Sequence, residues 1–168
     1  MVKAMIRELK EALNIDDLLI EQAMPQRVAR AKVESLSDTL LEHFALIGML
    51  GKSHRDYEHW KNEIANFCKQ LDNILVKKNR KLDRDTYIDY MYHLDTDRDA
   101  EIDVNAAWVN HRMDSILNYN FTREDYKRYR LFRNECFEEL AELFSEKENH
   151  SREFFKNFIE SKVNKYFE

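Results

Sequence analysis

The chain has 168 residues, is 43% apolar and 12% aromatic, and carries a formal charge of −5. It contains only two glycines and one proline, where about 12% of an average chain is one or the other. Sheet corners and hairpins normally need those residues, so sandwiches, barrels and parallel α/β folds are excluded, and an all-α fold is expected. Gly48 and Gly51 form neither a dinucleotide-binding fingerprint nor a phosphate-binding loop. Nor does any apolar run approach the roughly 18 residues of a membrane span. Residues 1–10 are amphipathic and charged, unlike the apolar core of a signal peptide, which gives a cytoplasmic expectation. Cys68 and Cys136 are too few and too isolated for a disulfide framework or a zinc site, and read as small buried hydrophobes.

Apolar spacing predicts helices almost throughout. Short ones are expected over 1–13 and 16–24. Pro25 suits the first turn of a long helix bearing Val33, Leu36, Leu40, Phe44, Ile47 and Leu50, with Gly51 as the glycine that ends it. Ser53 and Asp56 have capping-box spacing. Tyr57, Trp60, Ile64, Phe67, Leu71 and Ile74 then alternate steps of three and four, the cleanest seam in the chain, and should pack on the preceding helix. Residues 76–81 form a polar connector, and a helix over 84–94 follows Asp83. A later helix carries Val104, Trp108, Met113 and Leu117. Thr122 and Asp125 cap another, with Tyr126, Tyr129, Phe132, Cys136, Leu140 and Leu143 inward. Asn149 or Ser151 opens the last, with Phe155, Phe158, Ile159 and Val163 inward. The expectation is one domain over 1–168, a bundle of about six to seven helices with short connections.

The charge is concentrated. Asp83, Asp85, Asp89, Asp95, Asp97, Asp99, Glu101 and Asp103 face only Arg84 and Arg98, a local net of −6 that leaves the rest of the chain at +1. Residues 95–106 place carboxylates at positions one, three, five and nine, with Ile102 at position eight. This pattern resembles the calcium loop of the EF-hand family. The resemblance implies Asp95, Asp97, Asp99 and Asp103 as side-chain ligands and the Glu101 carbonyl as another. The sequence departs from that pattern at position six, where Ala100 replaces the turn glycine, and at position twelve, where Ala106 offers no ligand.

The second use of such a segment is recognition of a basic protein surface, with Tyr90 among the carboxylates. Small acidic helical inhibitors of toxins and nucleases, the immunity and antitoxin proteins, work by that physical logic. A non-catalytic interaction module of this type, docking through Asp83, Asp85, Asp89, Tyr90, Asp95, Asp97, Asp99, Glu101 and Asp103, is therefore the leading expectation, with no cofactor. A calcium-binding module is the alternative. A helical metal-dependent enzyme using His54 and His59 ranks third, without the paired Glu-x-x-His motif that di-metal bundles use. Basic residues interleave with aromatics over 123–133, but helical spacing assigns the aromatics to the core and the arginines to its rim. Overall acidity also argues against nucleic acid as a partner.

Overall fold

The computed structural model describes residues 26–75, 100–113, 120–146 and 148–167. Five helices account for them: α1 (Gln26–Leu50), α2 (Tyr57–Leu75), α3 (Ala100–Asn110), α4 (Arg123–Phe144) and α5 (Arg152–Phe167). The all-α expectation holds, while the count is five among the described residues rather than six or seven. Pro25 and the helices expected over 1–13, 16–24 and 84–94 lie outside the described residues. No described helix is long and apolar enough to cross a membrane.

α1 and α2 form the most extensive helix pair among the described residues, with α5 packed against α2 and α4, and α3 and α4 packed against α1. The alternating stripe of α2 drives this arrangement: Tyr57, Trp60, Ile64, Leu71 and Ile74 are buried, and Phe67 packs against them half-buried. Such a stripe must be covered to leave water, at roughly 25 cal/mol per Å² of apolar surface removed. Gly51 ends α1 in a left-handed conformation (φ 75°), with its N–H donating to the Ile47 carbonyl at 3.0 Å. The other glycine serves packing. A Cβ on Gly48 would lie 3.1 Å from the Tyr129 ring and 3.3 Å from that of Phe167, so α1 approaches α4 and α5 closely there.

The helix starts divide between expectation and correction. Thr122 and Asp125 form a reciprocal capping box on α4, and the Ser151 hydroxyl accepts the Phe154 N–H at 3.0 Å to open α5. Ser53 does not cap α2. Residues 52–56 form turns, and the Asp56 N–H donates to His54 Nδ1 at 3.0 Å instead. α3 also ends sooner than its apolar spacing implied. His111 and Arg112 form a turn, Arg112 takes a left-handed conformation (φ 49°), and the Met113 N–H returns to the Trp108 carbonyl at 3.0 Å.

Candidate interaction surface

Asp83, Asp85, Asp89, Tyr90, Asp95, Asp97 and Asp99 lie outside the described residues. The structure does fix the junction at which the acidic segment meets the helical core. Residues from Ala100 onward belong to α3, so the second half of the twelve-residue loop-like stretch is helical. Glu101 is exposed in the first turn. Asp103 faces inward.

Asp103 is 3% exposed, and its carboxylate accepts from Arg133 Nη1 of α4, itself 0% exposed. Arg133 also lies over the Tyr129 ring, 5.9 Å from its centroid, and its Nε donates to Asn134 at 3.2 Å. Two expectations change here. Asp103 is part of the core rather than of an outward acidic face, and Arg133 is a buried partner rather than a rim cation. Removing either member of a buried pair strands the other charge, which costs about 3–5 kcal/mol. Arg123, Lys127, Arg128 and Arg130 of the same helix are exposed, while Tyr129 and Phe132 are buried as their spacing predicted.

The far end of α3 is tied to α1 by polar contacts. Asn110 Nδ2 donates to Glu42 Oε1 at 2.6 Å, and His111 Nε2 lies 3.0 Å from Glu42 Oε2. The His111 ring meets His43 edge to face at 4.8 Å, and His43 meets Phe67 likewise at 5.0 Å. His43 Nδ1 lies 2.8 Å from the Thr39 carbonyl. Burial lowers the His43 pKa below its ordinary 6.5, assisted by His111 and opposed by the Thr39 contact. A shallow cleft beside this junction is lined by Asp38, Leu41, Glu42, Asp103, Ala106 and Asn110. No spacing signal in the sequence joins these residues, because Glu42 and His111 are 69 positions apart.

The histidines suggested for a metal enzyme are not brought together. His54 stacks on Trp60 at 4.6 Å, and His59 is exposed on α2. Among the described residues no group of three His, Cys, Asp or Glu side chains converges to hold a metal ion. Cys68 and Cys136 are fully buried, and that burial pushes both thiols well above the ordinary range, leaving them protonated and unreactive.

Two acidic side chains of α4 pair with lysines of α5. Glu135 binds Lys162 at 2.9 Å and Lys165 at 2.5 Å, and Glu139 binds Lys162 at 2.5 Å. Burial acts upward on the Glu135 carboxyl, but hydrogen bonds from Lys165, Lys162 and Tyr166 outweigh it and hold the pKa at about 2. In comparison with known proteins, no family model matches the chain, and no curated protein or solved structure matches it either.

Proposed function

We propose that this chain is a non-catalytic protein-interaction module that binds a partner with a basic surface through the acidic segment over residues 83–101. In its concrete form it acts as an immunity- or antitoxin-type inhibitor that covers the basic cleft of a toxin or nuclease. The supporting observation is where formal negative charge is concentrated along the sequence. With Asp103 paired inside the core, residues 83–101 carry seven acidic side chains against Arg84 and Arg98, a net of −5 equal to that of the whole chain. Several carboxylates of the described helices are paired within the fold: Glu135 and Glu139 with α5 lysines, and Asp103 with Arg133.

Concentrated like charge is costly to a fold through self-repulsion, and it accelerates association with an oppositely charged surface. α3 provides a rigid mount for such a segment, because it is held at one end by Arg133 and at the other by Glu42. The reading predicts that a basic protein encoded beside this chain co-purifies with it when the two are co-expressed. Reversing Asp95, Asp97 and Asp99 to lysine should abolish that co-purification. A complex that survives the reversal unchanged contradicts the proposal.

A further inference from the structure

The turn between α4 and α5 is fastened to α2 by a cluster that the interaction reading does not use. Asp72 of α2 is 0% exposed, and its Oδ2 accepts the His150 backbone N–H at 2.7 Å. Lys69 Nζ lies 3.9 Å from the same oxygen and donates to the His150 carbonyl at 2.6 Å. The His150 ring is held by Phe154, at 4.5 Å between centroids, and by Phe155 at 5.9 Å. Its Nε2 lies 2.8 Å from Glu146 Oε2 at the end of α4. Two oxygen or nitrogen atoms so close require a hydrogen between them, so Nε2 carries a proton and donates it to Glu146.

That assignment determines what the other ring nitrogen can do. In a neutral imidazole protonated at Nε2, Nδ1 presents a lone pair. Nδ1 faces Asp72 Oδ1 at 3.8 Å, and both atoms are buried with no hydrogen-bond partner. Two acceptor lone pairs confronting each other away from water are unfavourable, and one proton between them removes the conflict whichever atom carries it. The charge balance agrees. With that proton the cluster of Lys69, Asp72, Glu146 and His150 is neutral, and without it the cluster carries one net negative charge. Cys68, beside Asp72, stays a neutral thiol because burial raises its pKa. Burial likewise raises the Asp72 carboxyl pKa, against the opposing effects of the His150 N–H and Lys69.

We propose that the buried Asp72 carboxyl, its Oδ1 facing the unpartnered His150 Nδ1, holds a proton that latches the α4–α5 turn onto α2, and that loss of this proton as pH rises loosens the turn. This inference stands independently of the acidic segment. The sign follows from linkage: a group that holds its proton more tightly in the folded state contributes stability at low pH and loses it as pH rises through the folded value. Asp72→Asn is the informative substitution. Its amide can offer an oxygen to the His150 N–H and a permanent N–H to Nδ1. His150→Asn, which places an amide N–H near the Nδ1 position, is the second variant should the first fail to fold.

The test compares denaturant unfolding of the wild type and these variants from about pH 4, near the ordinary carboxylate value, to about pH 9, together with amide exchange at His150 in the wild type. The wild-type unfolding equilibrium constant should rise relative to Asp72→Asn by up to about tenfold per pH unit within the titration window, the limit for one proton. The protection factor of the His150 amide should fall over the same range. Parallel unfolding curves for the wild type and whichever variant folds, or a His150 protection factor independent of pH, would overturn the latch.

Discussion

Arg112 occupies a position that a glycine usually takes. Its left-handed φ, its N–H on the Val109 carbonyl and the Met113 N–H on the Trp108 carbonyl form the two-bond closure that commonly ends a helix at glycine. A side chain in that conformation costs on the order of 1 kcal/mol. Arg112→Gly should therefore stabilise the fold by about that amount, less the arginine's interaction with the helix end, and denaturant unfolding would show it. At Asp103 the opposite prediction holds. Asp103→Ala should cost about 3–5 kcal/mol by stranding Arg133, whereas a paired Asp103→Leu, Arg133→Met change should recover most of that loss. A double-mutant cycle measures the difference directly. This pair was illegible in the sequence. Asp103 looked like one more carboxylate of an acidic run, and its partner lies 30 residues away. A charged residue reveals its burial only when the opposing helix is placed.

At the level of elements, repetition made the helices readable. The α2 stripe and the Thr122–Asp125 cap are short-range patterns, and both appear in the structure. The same capping-box spacing at Ser53 and Asp56 misplaced the start of α2, which begins at Tyr57 after a turn in which the Asp56 N–H donates to His54 Nδ1. The α4–α5 contact is electrostatic as well as apolar, and its pH dependence follows from Glu135. That carboxyl titrates at about 2 rather than at its ordinary 4.5, so it contributes stability above the ordinary value that is lost as pH falls toward 2. Glu135→Gln should consequently show a smaller loss of stability than the wild type between about pH 5 and pH 2. Equal losses would mean that Lys162 and Lys165 do not hold this carboxylate in solution.

Over the whole molecule, the scarcity of glycine and proline made the fold class legible, because an all-helical chain needs few residues with special backbone freedom. The two glycines present are spent on one helix end and one close helix approach. The candidate surface was legible only as charge. Sequence showed where negative residues gather, but not that Asp103 turns inward or that Glu42, Asn110 and His111 anchor the other end of α3. Those features depend on contacts between distant segments, to which periodicity is blind.

On the proposed function, the net −5 of residues 83–101 is what a basic partner would meet. The most direct measurement is the amount of the co-expressed partner retained by the wild type and by the Asp95→Lys, Asp97→Lys, Asp99→Lys variant, at low and high salt. Circular dichroism would first confirm equal helicity. The wild type should retain the partner, with retention that weakens with salt and is lost in the reversed variant. Equal retention by both proteins, or wild-type binding indifferent to salt, would contradict it.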